Sequence, residues 1–127
     1  MSASTLPMRL RRVIEALPRY SYSFSNESEL QHCLANALEL EGVPFVREHV
    51  AGPADRFDFL IEPGIVIEVK CKGSMSQALS QCGRYLKRDD VQAVVLAAAR
   101  SWAGQQPALA TVSGKPLHVV KLRGRAF

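Results

Sequence analysis

Residues 56 to 70, RFDFLIEPGIVIEVK, constrain what this chain can fold into more than any other stretch. Two apolar runs of period-two alternation flank Glu62-Pro63-Gly64. Pro presets φ and Gly tolerates positive φ, so the stretch reads as two strands joined by a tight turn. Because strand side chains repeat every two residues, Arg56, Asp58 and Leu60 are expected on one face and Phe57, Phe59 and Ile61 on the other. Val66, Glu68 and Lys70 share a face of the second strand, with Ile65, Ile67 and Val69 on the opposite face. If the turn takes residues 62 to 64, Ile61 faces Ile65, Leu60 faces Val66, Asp58 faces Glu68 and Arg56 faces Lys70. Opposed residues have Cβ atoms roughly 4.5–5.5 Å apart, where two carboxylates repel unless a cation lies between them. Carboxylate oxygens suit a hard ion, which points to Mg²⁺ or Mn²⁺.

Asp58, followed ten residues on by Glu68-Val69-Lys70, resembles the core of the PD-(D/E)XK nuclease superfamily. The context adds to this short signature. Upstream is a helix with Glu29, and downstream a helix with Gln81-x-x-x-Tyr85, similar to a motif of RecB-like members. The resemblance covers about residues 26 to 98. No Pro directly precedes Asp58, and Asp55, near Pro53, has the wrong parity to share a face with Glu68.

The resemblance implies a single α/β domain over residues 1–127 with a restriction-endonuclease-like core, a mixed central sheet flanked by helices. It implies Asp58 and Glu68 as metal ligands with the Val69 carbonyl, and Glu29 acting through water or on a second ion. Lys70 would orient the attacking water and offset developing negative charge. Gln81 and Tyr85 would contact the nucleic-acid backbone or hold Lys70, with Gln77, Arg84, Arg88 and Lys72 as further nucleic-acid contacts. The implied function is a metal-dependent deoxyribonuclease. Its size resembles that of Holliday-junction resolvases, which work as dimers, and its Gln/Tyr motif leans toward RecB-like nucleases. A short restriction or repair endonuclease also fits. The rival is a non-catalytic nucleic-acid- or protein-binding module on the same scaffold, against which stands the presence of Asp58, Glu68 and Lys70 together. DNA or RNA, endo- or exonuclease, and branched or linear substrate stay open.

Charge distribution is compatible with a polyanion partner. The net charge is +4, yet nine of the 12 acids lie between Glu27 and Glu68 and none follows Asp90. Lys115, Lys121, Arg123 and Arg125 are therefore unbalanced at the C-terminal end. Solvated surface charge explains the same pattern. No apolar run approaches the roughly 18 residues of a membrane span. The three cysteines, Cys33, Cys71 and Cys82, show no metal spacing, and with no secretion signal they point to free thiols in a reducing, cytoplasmic setting. The Ser- and Arg-rich start has the composition of a mitochondrial transit peptide. Leu10, Val13, Ile14 and Leu17 instead favour a packed helix over residues 7 to 17.

Elsewhere, Asn26 as cap, Glu29 three residues on and Gly42 at the end bound a helix over residues 27 to 41. Glu29 thus carries two readings, capping-box partner and site acid. Residues 43 to 51 read as an edge strand, with Pro44 at its beginning. His49 within it reads as a surface or hydrogen-bonded residue and not a ligand. Ser74 caps a helix over residues 75 to 88, with Ala78, Leu79, Cys82 and Leu86 as its apolar stripe and Gln77, Gln81 and Tyr85 as a separate ridge. Residues 91 to 98 read as an interior strand and 116 to 122 as a last strand. Residues 18 to 25 read as a loop, with Tyr20, Tyr22 and Phe24 forming a short edge strand or covering the core. Arg123 to Arg125 read as a basic tail. The N-terminal helix and the last strand are the expected dimer contacts.

Overall fold

A computed structural model describes residues 5–104 and 109–126. In chain order the elements are α1 (Thr5–Ala16), β1 (Ser21–Phe24), α2 (Glu27–Leu40), β2 (Val46–Val50), β3 (Arg56–Ile61), β4 (Ile65–Lys70) and α3 (Met75–Leu86). Then come β5 (Ala93–Ala98), β6 (Leu109–Val112), β7 (Lys115–Lys121) and β8 (Arg123–Ala126), with short 3₁₀ turns at Leu17–Arg19 and Ser101–Gly104. Six strands form one sheet in the order β2-β3-β4-β5-β7-β6, and β1 pairs β8 separately. The pairs β4/β5 and β5/β7 are parallel, while β2/β3, β3/β4 and β6/β7 are antiparallel, so the central sheet is mixed. No helix among the described residues is long and apolar enough to cross a membrane.

Each face of the sheet carries its own core. On one side Val13 and Leu17 of the α1 segment and Leu30, Leu34 and Leu38 of α2 pack on Phe59, Ile61, Ile65, Ile67 and Val69. On the other, Ala78, Cys82, Tyr85 and Leu86 of α3 pack on Phe57, Val66, Val94 and Leu96. All six residues of β5 are buried, because the strand has neighbours on both edges and helices on both faces. Fully burying a Leu, Ile or Val side chain contributes about 1.5–3 kcal/mol, so β4 and β5 carry much of the stability.

The helices begin and end as the sequence asks. Asn26 Oδ1 accepts from the Glu29 N–H at 2.8 Å, and Glu29 Oε1 accepts from the Ser25 N–H at 2.7 Å. At the other end the N–H groups of Gly42 and Val43 return to the carbonyls of Glu39 and Leu38, with Gly42 at φ 72°. Arg12 reaches the Glu41 carbonyl there, and Arg9 reaches the Glu62 carbonyl, so two α1 arginines hold the helix to α2 and the hairpin.

From the turn to Phe59 the hairpin forms with the expected register, Ile61 pairing Ile65, Leu60 pairing Val66 and Phe59 pairing Ile67, but the expected Asp58–Glu68 and Arg56–Lys70 pairs are not part of the ladder. Strict alternation fails at one place. Phe57 belongs to the core under α3, whereas Phe59 and Ile61 belong to the core under α2. Glu48, with φ 51°, interrupts the β2–β3 ladder opposite Asp58, and the β3–β4 ladder stops at Phe59. The strand bends between Phe57 and Phe59 and exchanges faces there.

Two further expectations are corrected, the basic tail and the last strand as a dimer contact, and one strand is added. Residues 123 to 126 are a strand and not a tail, lying parallel to β1 with Tyr22 and Phe24 turned into the core. Within the segment 18 to 25 the expected short strand forms, after a 3₁₀ turn, and Tyr22 and Phe24 also cover the core as expected, with the Tyr22 hydroxyl donating to the Leu17 carbonyl at 2.6 Å. Strand β6 has no counterpart in the sequence reading; it pairs with β7 across Ser113-Gly114. Because β7 lies between β5 and β6, its edge is unavailable for a dimer contact.

Gly64 marks the hairpin turn with φ 126°, and a Cβ there would lie 2.8 Å from the Asp90 carbonyl oxygen. Its own carbonyl accepts the Gln92 N–H at 2.8 Å, fastening the turn to the start of β5. Gly64→Val should therefore destabilise by roughly 2–4 kcal/mol in urea unfolding. An unchanged midpoint would show that the turn tolerates a side chain.

Candidate active site

The splaying of β3 from β4 builds the site. Beyond the Phe59–Ile67 pair the Val69 N–H has no partner on the β3 backbone, and it donates to Asp58 Oδ2 at 2.8 Å. Glu68 and Lys70 leave β4 on the face that looks toward α3. Glu68 is only 3% exposed, its Oε1 has no hydrogen-bond partner, and its Oε2 lies 3.6 Å from Lys70 Nζ. Burial, then the neighbouring Asp58 charge, push the Glu68 carboxyl up to about 8, with Lys70 pulling the other way. Burial also raises Asp58, to about 6, against the opposing Val69 N–H.

The helix-borne acid near this pair is Glu27 and not Glu29. Glu29 is exposed and its carboxylate is held by the Ser25 N–H, so the capping-box reading describes it. Glu27 accepts from the Cys71 N–H at 3.4 Å, and its charge raises both Asp58 and Glu68. Two acids in one helical turn gave the signal. Once Glu29 is committed to the cap, Glu27 is the one left to point beyond the helix end.

On α3 the expected ridge divides. Tyr85 is 1% exposed, packed edge-on against Phe57 at 5.0 Å, with its hydroxyl donating to the Arg56 carbonyl at 3.2 Å. Such a ring cannot touch a nucleic acid, which corrects that expectation; Tyr has an apolar body that belongs in the core. Gln81 Nε2 donates to the Tyr85 hydroxyl at 2.9 Å. Arg84 and Arg88 both pair with Asp55, at 3.1 and 3.0 Å, and Arg88 also binds Asp90 and the Ala51 carbonyl. Arg88 is thus committed to holding the 51–55 loop on α3, and Asp55 has a structural duty. Gln77 and Lys72 are exposed near the N-terminal end of α3. His49 stacks on Phe57 with ring centroids 6.0 Å apart. The Cys82 thiol is buried, and burial with the Glu68 charge pushes it up to about 12.

No family model, curated protein or solved structure matches this chain.

The donor set fits a hard cation in one respect and falls short in another. Glu68 offers a buried oxygen without a partner beside a second carboxylate, and Mg²⁺ is ordinarily held by one or two carboxylates plus waters. Among the described residues, no three His, Cys, Asp or Glu side chains converge as a ligand group.

The raised carboxyls have a thermodynamic consequence whose sign is fixed. Between its unfolded pKa and about 8, Glu68 binds more proton in the folded chain than in the unfolded one. Stability falls as pH rises through that window. His118, lowered by burial from 6.5, contributes the opposite slope only below that value. Unfolding of the metal-free protein between pH 6.5 and about 8 should thus show declining stability. Glu68→Gln should flatten the decline, and Mg²⁺ or Mn²⁺ should oppose it. A rising or flat profile for the metal-free wild type would contradict the burial of this charge.

Proposed function

We propose that this chain is a divalent-metal-dependent nuclease with a restriction-endonuclease-like core that hydrolyses phosphodiester bonds in DNA. The observation that carries the reading is the Glu68 carboxylate, buried with an unpartnered oxygen beside Asp58 and Lys70. Even with Lys70 3.6 Å away, this buried carboxyl keeps its proton until about pH 8, so ionising it at neutral pH calls for a further cation.

Asp58 and Glu68 would hold the ion, with the Val69 carbonyl as a further oxygen and Glu27 as a third nearby charge. When bound, Mg²⁺ or Mn²⁺ supplies phosphate charge neutralisation and a more acidic water. Lys70, beside Glu68, would stabilise charge developing on the phosphate oxygens. Gln81 is a positioning residue that acts through Tyr85 and the Arg56 carbonyl. Lys72 and Gln77, exposed where β4 leads into α3, are the contacts for phosphates next to the scissile one. Coordinated cutting of two strands would call for a two-fold pair of chains.

The absence of a third converging ligand among the described residues favours a second reading, a non-catalytic nucleic-acid-binding module. The two separate on supercoiled plasmid, linear duplex and a four-way junction, each with Mg²⁺, Mn²⁺ or EDTA. The nuclease reading expects divalent-dependent cleavage, lost by roughly 10²-fold or more in Glu68→Ala and Lys70→Ala. Lys70→Ala should keep its metal affinity and Glu68→Ala should lose it. No cleavage of any substrate, with duplex affinity unchanged in Glu68→Ala, would overturn the catalytic reading.

A further inference from the structure

The outer face of the β1–β8 ribbon has no part in the proposed chemistry, and its charge is one-sided. Ser21 lies in register with Arg123 and Ser23 with Arg125, and all four are exposed. Together with Tyr22 and Gly124 they line a cleft of about 370 Å³, and no carboxylate lines it. The ribbon is tightly built. A Cβ at Gly124 would lie 2.8 Å from the Phe24 ring and 2.9 Å from the Tyr22 carbonyl, so only glycine lets β8 close on β1. Arg123 uses one N–H on the Pro18 carbonyl at 3.1 Å, out of five that a guanidinium offers.

A second cleft, of about 440 Å³, shares Ser23 and runs along the first turns of α2 to Arg47 on β2. Glu29 and His32 also line it; Glu29 Oε1 accepts from the Ser25 N–H, and its negative charge shares the cleft with Arg47's positive one. Arg47 Nε is buried with no hydrogen-bond partner, and its guanidinium sits 5.7 Å over the Phe59 ring. Ser28, also in this cleft, follows Glu27, the acid beside the candidate site. The two clefts meet at Ser23 and so make one path from the ribbon along the first turns of α2 to Arg47.

We propose that this path is a phosphate track, in which Arg125, Arg123 and Arg47 hold phosphates of a nucleic-acid strand away from the scissile bond. Alternate residues of a strand are roughly 6.6 Å apart, the scale of the step between neighbouring phosphates. Arg123 and Arg125 can therefore each take one, with the Ser21 and Ser23 hydroxyls as neutral donors beside them. The inference takes its partner from the nuclease reading, but binding decides it and cleavage does not.

The test is the salt dependence of affinity for a labelled linear duplex, measured in EDTA. Each phosphate contact contributes about 0.9 to the slope of log affinity against log salt. Arg123→Gln with Arg125→Gln should lower that slope by about 2, and adding Arg47→Gln by about one more. Arg11→Gln with Lys87→Gln removes equal charge from exposed positions elsewhere and should leave the slope at its wild-type value. A wild-type slope in the ribbon double variant overturns the proposal. So does an equal fall in the control pair, which would mean net charge alone. If wild type cleaves nothing, the nuclease reading fails while these slopes still decide the track.

Discussion

The hydrogen bond from the Val69 N–H to Asp58 Oδ2 joins the architecture to the chemistry. Two paired strands that part must leave backbone groups without partners, and a buried orphan costs about 1–3 kcal/mol. Here a carboxylate closes the gap. Burial raises both acids, and each has a group working against that rise: the Val69 N–H at Asp58 and the Lys70 ammonium at Glu68. One hydrogen bond thus lets the strands separate and aims the Asp58 carboxylate, while Glu68 has Lys70 beside one oxygen and no partner for the other.

What keeps this arrangement rigid lies on the α3 side. Asp55 receives Arg84 and Arg88, Arg88 also spans to Asp90 and lies 5.7 Å over the Phe57 ring, and Tyr85 bonds to the Arg56 carbonyl. These contacts bracket Asp58 on its N-terminal side. Exposed ion pairs contribute little singly, but here several share one half-buried arginine and fix a loop to a helix.

Much of the sheet was legible because its signals are local. Pro63-Gly64 sets the turn, period two sets the faces, and an unbroken apolar run marks β5 as interior. The misses share a different character. Phe57 changes face because Glu48 adopts a left-handed backbone that no glycine announces. Tyr85 falls on both an apolar and a polar helical spacing, and packing chose between them. Of two acids in one turn, the cap took Glu29 and left Glu27 for the site. The β1–β8 pairing joins opposite ends of the chain, and its one trace in the sequence is a glycine between two arginines.

Glu48 has a consequence at the rim of the sheet as well. Strand β2 is an edge, and Val46 and Val50 stand exposed on it, a combination that invites another chain to add on. A left-handed residue midway along a five-residue strand breaks the regular row of donors and acceptors that an incoming strand would need. It also leaves a negative charge at the centre of the row. The backbone kink that turns Phe57 under α3 therefore doubles as protection against sheet extension and amyloid-like stacking. Relieving it with a β-branched residue would straighten the edge and trade solubility for pairing.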